Sequence, residues 1–190
     1  MTTTKKPLLA RKSFFAILLV AAFVFSLFAG AVAGSRAAAE QTPLTVKCAS
    51  TTSSDKLLTA CAASSAGGKN QVPALRWNAV PGAACYAVYM FDISAGNWCH
   101  WICGGLTTTE IQQGAALSGC RYKGPYPPSG THTYRIFVYA LKEPLPSYPG
   151  AFDAKNSSIS AVESKLAGDH HNILAKGSVD VKYAKGDKNV

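Results

Sequence analysis

Apolar stretches alternate with segments rich in Pro, Gly and Ser from about residue 72 onward. Cys85–Asp92 is rich in β-branched and aromatic residues and has turn residues on both sides, so it predicts a strand. Asn97–Cys103 predicts the next strand. Thr131–Leu141 alternates between apolar and polar residues and predicts a third strand, which ends before Pro144.

The flanking segments predict shorter elements. Ser158–Leu166 has apolar residues at a three-then-four spacing, which favours a short helix closed by Gly168. Val179–Tyr183 predicts a last short strand, and Ser50–Lys69, rich in Ser, Thr, Ala and Gly, predicts a loop with little core. Gln41–Lys47 is interpreted as a linker into a first short strand. The pattern as a whole predicts a mainly β domain with one or two short peripheral helices.

The N-terminus has the pattern of an export signal. Four basic residues between positions 5 and 12 precede an uncharged, largely apolar run, Ser13–Ser35, which contains the small-residue sequence Ala31-Val32-Ala33. Residues 1–39 are therefore predicted to be a signal peptide or an N-terminal membrane anchor, since the run approaches the ~20 residues of a membrane span. Either alternative predicts an extracytoplasmic domain over residues 40–183, with membrane contact only if the segment stays uncleaved, and a basic tail over 184–190.

Composition and charge narrow the classes of function. A hydrophobic content of 48% with 15% charged residues is typical of a globular protein. The formal net charge is +9, but five of the nineteen basic residues lie within the first 36 positions, which leaves fourteen against ten acidic residues. Because those fourteen are scattered, the chain lacks the basic stripe of a nucleic-acid-binding protein, and we expect no nucleic-acid partner.

All six cysteines follow the apolar N-terminal run, in a compartment where disulfides are permitted. They allow up to three bridges, and sequence alone does not select among the fifteen pairings. A bond between Cys99 and Cys103 is disfavoured, because four residues of extended strand separate their Cα atoms by about 13 Å. The chain has no C-x-x-C motif, which favours structural cross-links over a metal or redox site.

The two central strands carry the candidate chemistry. If they pair antiparallel with Asp92 opposite His100, both side chains share a face with Met90 and Trp98. The other face is then predicted to hold Cys85, Tyr89, Cys99 and Cys103. His132 begins the third strand, directly after a stiff Pro/Gly loop that spans residues 124–130.

Four motifs resemble those of the phosphatidylethanolamine-binding protein family, in its bacterial Raf-kinase-inhibitor-like form. They are Asn70-Gln-Val-Pro-Ala-Leu-Arg-Trp77 with Val80-Pro-Gly82, the strand that ends at Asp92, Trp98-Cys-His-Trp101, and Tyr122-Lys-Gly-Pro-Tyr-Pro-Pro-Ser-Gly-Thr-His-Thr-Tyr134. The likeness extends over about residues 44–183 and is strongest from 70 to 141.

This resemblance implies a fold of antiparallel β-sheets with a small pocket for phosphate-like and other anionic groups, including phospholipid headgroups. Residue by residue, it implies that the pocket is formed by Asp92, His100, Pro127, His132 and Tyr134. The imidazoles and the hydroxyl can donate to oxyanions, while Asp92 is expected to orient His100. Where the family usually has D-P-D-x-P, this chain reads Asp92-Ile-Ser-Ala-Gly96, so Ser94 replaces the second aspartate.

The sequence thus predicts an exported protein that binds a small anionic ligand. A protein-interaction or inhibitor module is the alternative, and no cofactor is expected. The chain has no G-x-S-x-G, no H-E-x-x-H and no phosphate-cradling Gly loop, so an enzyme, whether acid–base or metal-dependent, is not expected. Simpler interpretations stay open: the two histidines as hydrogen-bonded core residues, Trp98 and Trp101 as packing residues, and His170-His171 and the Arg121 and Lys123 pair as solvated segments.

Overall fold

A computed structural model describes residues 43–190. The predicted signal peptide or anchor, residues 1–39, lies outside this range. The described chain forms eight strands and one α-helix, with two 3-10 turns at Thr59–Cys61 and Ser64–Ala66. The strands are β1 (Val46–Cys48), β2 (Leu75–Trp77), β3 (Cys85–Asp92), β4 (Trp98–Leu106), β5 (Glu110–Ile111), β6 (Arg121–Tyr122), β7 (Thr131–Leu141) and β8 (Ile173–Ala184), and the helix is α1 (Ile159–Ala167).

The strands form two antiparallel sheets. The larger has the order β6-β4-β3-β7-β8, and the smaller has the order β1-β2-β5. Every pairing between the named strands is antiparallel. The prediction of a mainly β fold of antiparallel sheets with a short peripheral helix is therefore confirmed.

Strand β3 lies in the middle of the larger sheet and is buried along its whole length. Tyr86, Val88 and Met90 pack into a core shared with the smaller sheet. Tyr89 and Phe91 belong to a second core on the opposite face, beside Val162 and Leu166 of α1. Because both faces are covered, this strand is apolar almost throughout rather than alternating.

The predicted helix over Ser158–Leu166 is confirmed, and each of its ends differs by one residue from that of α1. Ser158 is the N-cap, and its hydroxyl accepts a hydrogen bond of 3.0 Å from the Ala161 amide. The helix ends at Gly168, which has a φ of 56° and donates its amide to the Ser164 carbonyl. The apolar positions Val162 and Leu166 are buried, as the spacing predicts.

Two segment predictions need correction. Residues 50–69 do contain core, because Leu57, Cys61 and Ala62 are fully buried. Strand β8 has 12 residues instead of five and pairs with the whole of β7. One face of β8 is exposed along most of its length, so its polar residues concealed the strand.

One disulfide joins Cys103 to Cys120, so Cys103 does not pair with Cys99, as the spacing argument predicts. Cys103 was predicted to share a face of the sheet with Cys85 and Cys99, but it lies on the other face. It packs in the core shared with the smaller sheet, whereas Cys85 and Cys99 belong to the second core. The cause is an irregularity in β4 at His100, which shifts the register between Cys99 and Trp101. The other four cysteines are free thiols: Cys48, Cys61, Cys85 and Cys99.

The last residues fold back onto the domain. The Thr59 amide donates to the Asn189 carbonyl at 2.8 Å, and the Asn189 side chain donates to the Leu57 carbonyl at 2.9 Å. Within residues 43–190, α1 is too short and no other helix is long and apolar enough to cross a membrane.

Candidate functional site

Asp92 lies where three strands of the larger sheet meet. It pairs with Trp98 of β4 on one side and with Tyr134 of β7 on the other. His132 is two residues before Tyr134 and therefore projects from the same face of the sheet. Strand pairing thus brings two residues of the Pro/Gly-loop motif beside the aspartate that ends β3.

A β-bulge in β4 places His100 at the site. Phe91 pairs with Cys99 while Met90 pairs with Trp101, so His100 is an extra residue between them. The predicted pairing of Asp92 with His100 is therefore wrong, although both residues do share a face. The bulge also reverses the alternation beyond it, which is why Cys103 lies opposite to the predicted side.

Asp92 orients His132 rather than His100, which corrects the sequence interpretation. Its Oδ2 atom lies 2.6 Å from His132 Nδ1, and its Oδ1 atom accepts the Ser94 amide at 2.9 Å. Asp92 is 3% exposed, so this carboxylate is held in place and largely removed from solvent. Ser94 also links the turn to β7, because its hydroxyl accepts the Thr133 amide at 3.0 Å.

His100 is held by the loop that follows β6. Its Nδ1 atom lies 2.8 Å from the Lys123 carbonyl oxygen. Burial lowers the pKa of His100, even though the Lys123 carbonyl and the Asp92 carboxylate act to raise it. A neutral ring therefore predominates near pH 7.

Asn70 holds the loop that follows β6 in place. Its Oδ1 atom accepts the Gly124 amide at 2.8 Å, and its own backbone has a φ of 53°, which Asn tolerates better than most residues. A side chain at Gly124 would overlap the backbone of Cys61, so the two segments approach closely only with glycine there. The first and the last of the four motifs therefore act together to position His100.

Tyr134 lies between the two histidines. Its ring is 5.2 Å from that of His100 in an edge-on arrangement and 6.4 Å from that of His132. The residue is fully buried, and its hydroxyl has no hydrogen-bond partner in the structure. Burial, with a further contribution from Asp92, raises the pKa of Tyr134, so the hydroxyl stays protonated and can donate.

Asp153 is a site residue that sequence reasoning missed. Its Oδ1 atom accepts hydrogen bonds from Trp98 Nε1 at 3.0 Å and from the Tyr126 hydroxyl at 2.6 Å. Burial acts to raise the pKa of Asp153, but these two hydrogen bonds and the charge of Lys123 outweigh it and lower the pKa. No motif marks Asp153, because it reaches the site from a loop between β7 and α1.

Tyr126 and Lys123 form the rim near Asp153. Burial and the hydrogen bond to Asp153 raise the pKa of Tyr126 to about 12. The Lys123 ammonium lies 5.6 Å from the centre of the Tyr126 ring, a cation–π contact. Lys123 is thus part of the site's surroundings rather than only a solvated loop residue.

These side chains surround a pocket of about 310 Å³. All five residues named from the sequence line it, so the structure brings every one of them together. His170 and His171 are exposed in the turn before β8 and do not line it. The lining residues are Asp92, Ala95, Trp98, His100, Tyr126, Pro127, Pro128, His132 and Tyr134.

The pocket is small and mostly aromatic, with a few polar atoms that can bind a ligand. Among residues 43–190, neither histidine Nε2 atom has a hydrogen-bond partner, and the Tyr134 hydroxyl is unsatisfied. Across residues 43–190, no group of three or more His, Cys, Asp or Glu side chains has an arrangement that could hold a metal ion. The arrangement can therefore exchange hydrogen bonds with one small polar group enclosed by rings.

Comparisons with known proteins point to one family. The sequence model described as "PBP: Phosphatidylethanolamine-binding protein" matches residues 35–184. A UPF0098 protein of Methanothermobacter thermautotrophicus is 31% identical over 122 residues, which cover 54% of this chain and 80% of that protein.

Two solved structures share the fold. A putative phosphatidylethanolamine-binding protein homologue, CT736, from Chlamydia trachomatis aligns with a TM-score of 0.59 and 20% identity, covering 75% of this chain and 98% of the other. Escherichia coli YbcL, described as a member of the mammalian family, aligns with a TM-score of 0.56 and 24% identity, covering 75% and 99%.

Proposed function

Because this chain belongs to the phosphatidylethanolamine-binding protein family, we propose that it is an exported protein that binds a small anionic ligand, a phosphate-like group or a phospholipid headgroup. One observation carries the proposal. The Asp92–His132 pair at 2.6 Å, the bulged His100 and the unsatisfied Tyr134 hydroxyl converge on one surface pocket. Such unsatisfied polar atoms in an apolar enclosure are the usual mark of a ligand site.

The chemistry of the lining favours binding over catalysis. Among the described residues that line the pocket, none is Ser, Thr, Cys or Lys, and the remaining groups with reactive chemistry are the Asp92 carboxylate, two imidazoles and two phenols. The Asp92 carboxylate already accepts two hydrogen bonds and serves to orient His132. We therefore propose a binding role without a cofactor.

Two features support export. The basic and apolar pattern of residues 5–35 is typical of a signal peptide or membrane anchor. The bond between Cys103 and Cys120 is of a kind that persists in oxidising compartments and is rare in the reducing cytosol. Fractionation of the producing cells, with mass spectrometry of the N-terminus, tests both the location and cleavage. Recovery of an uncleaved chain from the cytoplasm would contradict the proposal.

The pocket itself is tested by calorimetry with inorganic phosphate. We expect the double variant His100→Ala, His132→Ala to weaken binding at least tenfold, because both ring nitrogens that face the ligand are removed. The double variant His170→Ala, His171→Ala removes two exposed histidines away from the pocket and serves as the matched control. If the two double variants bind phosphate equally well, the pocket assignment is wrong.

A further inference from the structure

The ring of His100 has one nitrogen committed to the protein. The Lys123 carbonyl, 2.8 Å from Nδ1, can only accept a hydrogen bond, so Nδ1 carries the proton. In the neutral ring, Nε2 then has a lone pair and no proton. The residues described here provide Nε2 with no hydrogen-bond partner, and the ring lines the pocket. At this position the pocket therefore offers an acceptor, whereas an anion requires a donor.

The ring is kept neutral by its surroundings. Desolvation is the largest influence and lowers the pKa of His100. The carbonyls of Lys123 and Gly124 and the carboxylates of Asp92 and Asp153 act in the opposite direction without reversing the shift. Near neutral pH, a hydrogen bond between His100 Nε2 and an anion therefore needs a proton that the free ring does not carry.

The charges around the pocket impose the same requirement. Asp92 lines the pocket, and Asp153 lies behind Trp98 and Tyr126, while the ammonium of Lys123 stands at the rim. The lining itself therefore contains one carboxylate and no Lys or Arg, while the ammonium groups of Lys123 and Lys155 lie outside it, near Tyr126 and Gly96. An oxyanion that carries only acceptors meets repulsion at both Asp92 and His100 Nε2. An oxyanion with an O–H group supplies the missing donor, and it has one negative charge less than its own deprotonated form.

Building on the function proposed above, we propose that His100 selects ligands that bring a proton, so that the pocket takes phosphate monoesters in preference to phosphodiesters and sulfate esters. The P–O–H group donates to His100 Nε2 or transfers its proton to it. Both descriptions contain the same atoms and charge, and only an O–H bond is exchanged for an N–H bond. A diester or a sulfate ester has no such proton near neutral pH.

The sharpest test compares methyl phosphate with methyl sulfate, which are nearly identical in shape and differ in the available proton. Calorimetry of the full-length chain at pH 7.5 is run in two buffers of different ionisation enthalpy. Methyl phosphate is mainly a dianion at this pH, since its second pKa is about 6. We expect uptake of close to one proton and binding at least tenfold tighter than that of methyl sulfate.

Two variants separate the ring's two contacts. His100→Asn keeps an amide donor for the Lys123 carbonyl and removes the atom that faces the ligand. His100→Gln places an amide near the position of Nε2, where it can donate without titrating. We expect the Gln variant to bind both esters within about threefold of each other and without proton uptake, and the Asn variant to bind neither well while still folding.

The outcomes distinguish this inference from the proposed function. If wild type binds both esters equally without proton uptake, and His132→Ala still weakens both, proton selection is wrong and the anion pocket stands. If neither ester binds, the proposed function fails as well.

The source of the monoester is tested with phosphatidylcholine vesicles containing either phosphatidic acid, a monoester, or phosphatidylglycerol, a diester. Co-sedimentation with phosphatidic acid alone supports a lipid ligand. Binding of methyl phosphate without either vesicle supports a soluble one. Equal or stronger co-sedimentation with phosphatidylglycerol, if lost in His132→Ala, would overturn monoester selection.

Discussion

Removal of the Tyr134 hydroxyl should have opposite effects on the stability of the protein and on its affinity for anions. The hydroxyl is buried without a hydrogen-bond partner in a residue that is 0% exposed. A buried polar group without a partner costs about 1–3 kcal/mol in proteins. Tyr134→Phe removes the hydroxyl and keeps the ring that packs between the two histidines. Since Asp92 lies close enough to compensate in part, we expect the ligand-free protein to gain about 1 kcal/mol of unfolding free energy.

The same variant should bind anions less well. A hydrogen bond to a charged group contributes about 1.5–3 kcal/mol, which corresponds to a roughly ten- to hundredfold loss of affinity for inorganic phosphate. Denaturant titration measures the first effect and calorimetry the second. A gain of 1 kcal/mol would raise the Tm by about 2–4 °C for a domain of this size.

Tyr139 provides the matched control. It lies on the same strand and is 1% exposed, but its hydroxyl donates to Glu163 Oε1 at 2.8 Å. Tyr139→Phe removes this hydrogen bond and leaves Lys176, 3.0 Å from the same oxygen, as the partner of Glu163. The variant should be destabilised by about 1 kcal/mol, with phosphate binding unchanged. The reasoning is refuted if Tyr134→Phe is destabilised to the same extent and binds phosphate like wild type.

Three further predictions concern the supports of the pocket. Asn70→Ala should lower the unfolding free energy by about 1–2 kcal/mol in a denaturant titration, because the Gly124 amide loses its acceptor and Ala is placed at positive φ. Asn70→Asp keeps an acceptor oxygen and should lower the unfolding free energy by less. Cys120→Ser should lower stability by about 3 kcal/mol, since the bond to Cys103 closes a loop of 17 residues, and a reducing agent should leave the variant's melting curve unchanged while lowering that of wild type. Burial lowers the pKa of His100 in the folded protein below the value of about 6.5 that it has in the unfolded chain. The unfolded chain therefore binds the extra proton, and the free energy of unfolding should decrease as the pH falls through 6.5. A difference in unfolding free energy between wild type and His100→Asn that does not change between pH 7.5 and 5.5 would contradict this.

Local pattern was sufficient for the central strands of the larger sheet and for the helix, whereas the short strands β2, β5 and β6 were not predicted. β3 and β7 have the boundaries predicted from composition and turn residues, because strand formation there depends on a short run of β-branched and aromatic side chains. The helix was found from its apolar spacing and the glycine that ends it. Strand β8 was underestimated because it is half exposed and carries a polar face. Its full length is decided by β7, which offers a complete edge for pairing.

The sequence by itself identified five side chains that line one pocket, since Asp92, His100, Pro127, His132 and Tyr134 stand in motifs that can be read along the chain. Tertiary structure alone decided their connections. A bulge adds one residue to β4 and changes the register of its pairing with β3. No local sequence signal predicts this bulge, so the hydrogen-bond partner of Asp92 could not be derived from the alternation of side chains.

Asp153 and the bond between Cys103 and Cys120 depend in the same way on the folded chain. Asp153 accepts a hydrogen bond from the Trp98 ring N–H, although the two residues are 55 positions apart in the sequence. The loop that contains Asp153 has no recognisable motif. The disulfide joins residues that the antiparallel pairing of β4 with β6 brings together, since Ile102 pairs with Arg121 and the two cysteines are the next positions along. Contacts between segments distant in sequence arise from the packing of the whole domain, and for that reason single-residue patterns identify the participants but not their partners.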